Sequence, residues 1–365
     1  MSQPAAYADL ASALSAFIPA ERLIADPLRL LAYGTDASFY RLIPKLVVFV
    51  ESENEVQGVM AACAARQLPL TFRAAGTSLS GQAVTDSVLA VLGDGWGRVE
   101  ILDGGGRVRL GPGVVGADAN AKLAPLGRKI GPDPASINAA KIGGIAANNS
   151  SGMCCGTAQN SYNTLAAMRL MLADGTFLDT GDAASVAAFR ASHGAFLGQL
   201  DDLAAKTRAN EALAARIRHK FRMKNTTGYA LNALVDFEDP IEVLQHLLIG
   251  SEGTLGFIAE VTYRTVPEQK FKASALLLFP DIERACRAVS ILRAGQDDGG
   301  QVAAAELMDR ASIRSVENKK GVPPVLKTLG PDAAGLLVEV RADSDADLWR
   351  AAADVERRLA GIETV

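Results

Sequence analysis

Between Gly131 and Asn160 the chain reads GPDPASINAAKIGGIAANNSSGMCCGTAQN, a stretch of Gly, Ala, Asn and Ser with almost no charge, set between two well-patterned halves. So little side-chain bulk makes a poor core of its own. It suits a path where backbone must approach a large flat ligand closely, because glycine has no Cβ to hold the ligand off. The amides, and the Ser and Asn side chains, can donate to phosphate or carbonyl oxygens without bringing in a full positive charge. A second loop of this kind, RAAGTSLSGQ, runs from Arg73 to Gln82, and a third, GSEGTLGF, from Gly250 to Phe257. Three such loops in one chain point to a bound dinucleotide.

A length of 365 residues predicts two domains sharing an interface, and 49% hydrophobic residues are ample for their cores. The net charge of −4 gives no electrostatic reason to expect nucleic acid or an anionic membrane surface as partner. No apolar run approaches the ~18 residues a membrane-spanning helix needs; LVVFV (Leu46 to Val50) and ALLLF (Ala275 to Phe279) are strand-length. The N-terminus has no basic segment before its apolar residues, so it does not read as a secretory signal and a cytoplasmic place is expected. Cys63 and Cys286 fall in helical patterns and read as small buried hydrophobes. Cys154 and Cys155 are adjacent in the Gly-rich stretch, where a vicinal disulfide would be strained. No Cys-x-x-Cys spacing occurs, so neither a metal site nor an iron–sulfur cluster is expected from these cysteines, and the adjacent pair reads as compact packing beside the ligand.

LVVFV reads as a buried strand, followed by a helix through Val56, Val59, Met60 and Cys63 with Ser52 and Glu55 spaced as a capping box. LPLTFR is the next strand, and it runs into the first Gly loop at Arg73, which completes a βαβ-like unit. That loop lacks the G-x-G-x-x-G spacing of a nicotinamide-binding turn and the Gly-Lys-Ser/Thr ending of a P-loop. Strands follow at SVLAVL, GRVEIL and GRVRLG, then a helix near 115–124 and two strands around the Asp174-Gly175 turn. An Ala-rich helical excursion spans about 182–220, and LGFIAEVTYRTVPE is a strand that ends the first domain near Pro267. After it the pattern restarts as strand–helix alternation to Val365.

Taken together, these segments resemble the FAD-binding superfamily of vanillyl-alcohol oxidase and p-cresol methylhydroxylase, the FAD-linked oxidases. RAAGTSLSGQ looks like the family's pyrophosphate loop, GPDPAS with KIGGIAANNSSG like its flavin-flanking signature, and LLIGSEGTLGFIAEVTYR like its closing strand. NNSSGMCCGTAQNSYNTL with KNTTGYALNAL is similar to iron–sulfur-associated D-lactate dehydrogenases, with D-2-hydroxyglutarate dehydrogenases next. The resemblance implies an α+β chain: a two-subdomain FAD-binding domain over 1–268, divided at about 30–92 and 93–268, and a partial α+β cap over 269–365. It implies oxidation of a small D-2-hydroxy acid such as D-lactate by hydride transfer to flavin N5. Glycolate and D-2-hydroxyglutarate are the alternative substrates, and the electron acceptor is left open.

Cofactor contacts then fall on Arg73, Ala75, Gly76, Thr77, Ser78, Leu79, Ser80, Gly81 and Gln82 in the first loop. In the second they fall on Pro132, Ser136, Gly143, Gly144, Ala147, Asn148, Asn149, Ser151, Gly152 and Gly156. In the third they fall on Glu252, Gly253, Gly256 and Ile258. The family's covalent members carry a His in the pyrophosphate loop; this loop has none, which implies non-covalent FAD. The three histidines, His193, His219 and His246, all precede Arg264 and sit in helical contexts as surface or packing residues. The chain therefore reads as the N-terminal part of a longer enzyme or one subunit of a split one. Its base is expected beyond Val365, and any iron–sulfur cluster in a further C-terminal part. Lys224 and Glu306 are the catalytic candidates within the chain. Lys224, Asn225 and Tyr229 are either a surface loop or the flavin's substrate side; Glu306 is either a cap-strand acid or a plain strand-edge one; Asp309 reads as a helix N-cap. A flavin-binding module without turnover of its own, a homodimer, and a peripheral place on the inner membrane face remain compatible with these residues.

Overall fold

Apolar runs without polar alternation suit strands covered on both faces. In the computed structural model Leu46–Val50 and Val88–Leu92 lie side by side and parallel at the centre of a four-stranded sheet. Leu70–Arg73 pairs parallel on one side and Leu23–Ile24 antiparallel on the other. The structure describes residues 5–297 and 302–365, in two compact units, 1–266 and 267–365. The helix Glu53–Ala65 makes the crossover between the parallel strands and buries Val56, Val59 and Cys63. Ser52 caps it by accepting the Glu55 N–H at 3.3 Å. The Glu55 carboxylate does not return to Ser52 as a capping box would have it. It accepts from the Glu51 N–H at 2.7 Å and from both Arg22 terminal nitrogens at 2.7 and 2.8 Å, which ties the N-terminal segment to the helix start.

The first unit's other sheet has five antiparallel strands in the order Val99–Leu102, Arg107–Leu110, Phe257–Arg264, Leu165–Met171, Phe177–Asp179. Phe257–Arg264 closes it from the centre, after the long helical excursion through Ala183–Ser192, Gly194–Ala209 and Glu211–Lys220. Ala183–Ser192, Gly194–Ala209 and Pro240–Leu248 cover one face, with Phe189, Leu197, Leu200, Ile241 and Leu248 in a core shared with Met168, Leu170 and Val261, while Glu211–Lys220 packs Ala214 and Ile217 with Val235. The other face is joined to the parallel sheet: Met171, Phe257 and Ala259 pack with Val48, Val50 and Val88, and the Phe257 ring lies 4.9 Å from Phe72 and 5.3 Å from Trp96. These four- and five-stranded sheets thus meet at Phe257, beside the loop that leaves Arg73.

In the second unit, Phe271–Phe279, Ala334–Ala342 and Val302–Met308 form an antiparallel sheet with Ala334–Ala342 central. Ile282–Asp297 and Asp345–Leu359 pack on one face through Ala285, Ala288, Leu292, Leu348, Ala351 and Val355. Asp309 caps the following helix by accepting the Ser312 N–H at 2.7 Å. One cysteine reading needs correction. Cys63 is buried, but Cys286 is exposed, because Ala285, Ala288 and Leu292 take the core stripe of their helix and leave position 286 on the outer side. Among the described residues no helix is long and apolar enough to cross a membrane.

Candidate active site

Parallel strands carry their ligands at their carboxyl ends, and Leu70–Arg73 delivers the first Gly loop there. Its shape is set by Arg73, which is buried. The guanidinium donates through Nε to the Ala83 carbonyl at 2.8 Å and through Nη2 to the Tyr33 carbonyl at 3.0 Å. Burial pulls its pKa below the ordinary guanidinium value, opposed by the neighbouring Asp36. Arg73 therefore gives Nε and Nη2 to the protein, bracing the loop against Tyr33 and Ala83. The turn itself needs Gly76, at φ +67°, whose carbonyl accepts the Ala37 N–H at 2.9 Å. The backbone amides of Gly76, Thr77, Ser78 and Leu79 donate to no acceptor among the described residues. Four consecutive unspent N–H groups at a strand's carboxyl end make a cradle for an oxyanion.

In the second segment, IGGIAAN forms the helix Ile142–Asn148, ended by Asn149 in the left-handed region at φ +55°. Its two glycines have different reasons. A Cβ on Gly143 would lie 2.7 Å from Pro112 Cβ, so that residue is small for packing. A Cβ on Gly144 would find no protein atom nearer than Ala74 Cβ at 3.8 Å, and so would stand in the open space between helix and loop. Further along, the Asp133 carboxylate accepts the amides of Gly152, Cys154 and Cys155 at 3.0, 3.2 and 3.1 Å and winds that stretch around itself. The Cys155 thiol is buried, and its pKa is raised, by burial first and by Asp133 next. That holds it as a neutral thiol rather than a nucleophile.

The third segment docks on the end of that helix, with the Gly250 N–H on the Ala146 carbonyl at 3.2 Å and the Glu252 N–H on Ala147 at 2.9 Å. Glu252 sits at φ +54° and turns its carboxylate back across both other loops. One oxygen accepts from Asn148 Nδ2 at 2.6 Å and from Gln82 Nε2 at 3.2 Å, while Gln82 also hydrogen-bonds the Ser78 hydroxyl. Burial raises the Glu252 pKa, and these two amides oppose the shift. One carboxylate thus stitches the three Gly-rich segments into a single site.

They enclose a cleft of about 770 Å³, within the ~300–1,000 Å³ of pockets that bury small ligands. Of the residues singled out in the sequence, Arg73, Ala75, Gly76, Thr77, Ser78, Leu79, Ser80, Gln82, Ser136, Gly143, Gly144, Ala147, Asn148, Ser151, Glu252, Gly253, Gly256 and Ile258 line it. The structure places five others outside the lining. Gly81 (φ +78°) turns beneath the Tyr40 ring, where a Cβ would come within 2.8 Å. Pro132 is buried. Asn149 is buried with its side chain on the Tyr162 N–H and the Asn225 carbonyl. Gly152 is pressed against Asp133, and Gly156 (φ +54°) makes a turn.

Ala37, Pro134, Lys141, Thr226 and Thr227 are among the other residues of the wall. Thr226 and Thr227 are within reach of the sequence, since they lie inside KNTTGY, whose Lys224, Asn225 and Tyr229 read as ligand-side candidates; nothing in the sequence around Ala37 announces it. Lys224 stands outside the lining and donates to the Gly152 carbonyl. Glu306 is exposed on an edge strand of the second unit.

A cleft walled by unspent amides, a bare Gly144 and few charges fits a dinucleotide diphosphate with an attached flat ring. Residues 44–181 match the FAD binding domain, and residues 268–365 match the C-terminal domain of FAD linked oxidases. The glycolate oxidase subunit GlcD of Escherichia coli (strain K12) is 28% identical over 310 residues, covering 84% of this chain and 51% of that protein. The D-2-hydroxyglutarate dehydrogenase of the same strain is 30% identical over 239 residues, covering 63% of this chain and 23% of that protein. The mitochondrial cytochrome-type D-lactate dehydrogenase of Arabidopsis thaliana is 24% identical over 76% of this chain and 40% of that one. The chain thus spans about half the length of the glycolate oxidase subunit. A solved alkyldihydroxyacetonephosphate synthase shares the fold, with a TM-score of 0.66 at 15% identity over 99% of this chain and 61% of its own. With an FAD binding domain in its first unit and the family's C-terminal domain in its second, this α+β chain belongs to the FAD-linked oxidase superfamily.

Proposed function

We propose that the cleft holds FAD without a covalent bond and that the protein oxidises a small D-2-hydroxy acid, with D-lactate the first candidate, and D-2-hydroxyglutarate or achiral glycolate as the alternatives. The observation that carries the reading is the row of four unspent amides, Gly76 to Leu79, opening onto the cleft that Glu252 holds together. FAD, when bound, supplies the acceptor for the hydride of the substrate's C2. The chain's residues orient it: Gly76 to Leu79 meet the diphosphate, Gly144 leaves room for the ring system, and Asn148, Ser150 and Ser151 offer hydrogen bonds along it. Residues 1–268 act as the cofactor domain, and 269–365 as part of the domain that covers the substrate.

Among the described residues, the only ionisable side chains lining the cleft are Arg73, Lys141 and Glu252. Arg73 and Glu252 are engaged in holding loops, so the site is fitted for cofactor binding more than for proton abstraction. The chain alone should take up FAD and be reduced slowly by hydroxy acids.

Purified protein reconstituted with FAD and precipitated with acid should release all its yellow colour into the supernatant. Colour retained in the pellet would overturn the non-covalent assignment and direct attention to Cys154 and Cys155. Anaerobic bleaching against a panel of D- and L-2-hydroxy acids identifies the substrate; reduction by L-acids alone would overturn the stereochemical part. Rapid bleaching of this chain by D-lactate would place the base within it, with Lys224 and Glu306 the first residues to replace.

A further inference from the structure

Among the described residues the cleft has two cationic side chains, and one of them, Arg73, is turned into the Ala83 and Tyr33 carbonyls. The other is Lys141, which stands just before the helix that carries Gly144. Its backbone is pinned: Lys141 bridges to Val115, and the flanking Ala140 carbonyl and Ile142 amide bond Gly116 and Val114. Its ammonium, by contrast, has one weak partner, the Leu92 carbonyl at 3.4 Å. Lys141 forms no ion pair among the described residues. It forms part of the wall between the large cleft and a second cavity of about 400 Å³, and Ala74 and Leu92 belong to both linings. Glu21, Glu51 and Asp94 lie around the second cavity, where Arg22 is already held by Glu55 at 2.7 Å. Ala74 begins the amide loop, and its Cβ is the nearest atom outside the helix, at 3.8 Å, to where a Cβ on Gly144 would stand. Lys141, a cation of the cleft that forms no ion pair among the described residues, thus shares both linings with Ala74, where the amide loop begins.

Neutral amides orient a diphosphate but leave its two negative charges uncompensated, and desolvating such charges without a cation is costly. Resting on the FAD reading above, we infer that Lys141 is the counter-charge of the FAD diphosphate, a binding residue that sets cofactor affinity through its ammonium. Arginine at 141 preserves that charge; methionine preserves the aliphatic stem and removes it.

The test is FAD titration of apoprotein at several salt concentrations, with ADP as displacing ligand, for wild type, Lys141→Met and Lys141→Arg, alongside thermal unfolding of each apoprotein. Lys141→Met should weaken FAD and ADP by about 10- to 100-fold, the range of a lost charge-assisted hydrogen bond, and flatten the salt dependence of binding. The apoprotein should melt as wild type does, and Lys141→Arg should restore affinity to within about threefold. Unchanged affinity and salt dependence in Lys141→Met would overturn the assignment. So would a loss that arginine does not restore or that leaves the salt dependence intact, because either would mean that shape and not charge was removed. A wild-type protein that takes up no FAD would instead remove the reading on which the assignment rests.

Discussion

Gly144→Leu is expected to give a folded protein that takes up no FAD, while its neighbour Gly143→Ala gives one that still binds FAD but unfolds earlier. The two residues are adjacent in one helix and differ only in what faces them. A side chain on Gly144 leaves the helix toward the cleft, with the nearest protein atom 3.8 Å from its Cβ. The apoprotein has room for it, and an interior helical glycine replaced by a better helix former gains up to about 1 kcal/mol. Stability of the Gly144→Leu apoprotein in urea should equal or exceed that of wild type, while the leucine fills the open space beside the cleft that the proposed cofactor site would use. On Gly143 a Cβ lies 2.7 Å from Pro112 Cβ and 3.2 Å from its carbonyl oxygen. The 2.9 Å hydrogen bond from the Gly143 N–H to that same carbonyl prevents the two segments from parting. Overpacking of this kind costs about 1–3 kcal/mol. Urea unfolding of the two apoproteins, with flavin absorbance after gel filtration, reads both effects. Normal flavin content in Gly144→Leu would remove this helix from the cofactor site.

The contrast shows where sequence reading stops. That KIGGIAANN belongs to the site is legible, because only a ligand or a tight contact explains such a run of small residues. Which glycine faces the cleft and which meets Pro112 is not, since the answer depends on a turn packed from a separate part of the chain. Strands with continuous or alternating apolar patterns, such as Leu46–Val50 and Phe257–Arg264, are readable from local order alone. Arg73 looks like a phosphate ligand by its place in the loop, yet the structure gives its donors to two carbonyls, Tyr33 lying 40 residues upstream. Cys286 misleads because its helix has apolar residues on either side of position 286, and only packing decides which stripe is buried. Lys141 is hidden by its setting, since a single cation in a Gly-rich stretch carries no periodic signal.

Glu252 is the residue whose removal should cost the site most after Gly144. Its partners lie 104 and 170 residues away in sequence, so nothing local announces the link. Glu252→Ala leaves Asn148 and Gln82 without their acceptor and frees the three segments from one another. Leaving part-buried donors unmatched costs up to about 1 kcal/mol, and with the clasp lost FAD affinity should fall by tenfold or more, on the order of 1.4 kcal/mol per decade. Glu252→Gln separates charge from linkage, because the amide oxygen still accepts from Asn148.

Burial raises the Glu252 pKa above the ordinary carboxyl value of 4.5, so the folded protein holds this proton more tightly than the unfolded chain. The stability this group contributes is fully present below 4.5 and is lost as pH rises through the raised value. Over that window wild-type apoprotein should lose stability with rising pH more steeply than Glu252→Gln, which has no proton there to lose. Urea unfolding of both proteins at intervals from acid to neutral pH measures the difference. Parallel curves would mean that the carboxyl is ionised throughout the window, held so by Asn148 and Gln82. A steeper wild-type curve together with weakened FAD in Glu252→Ala would make one half-buried acid both the clasp of the three loops and the source of the site's pH sensitivity.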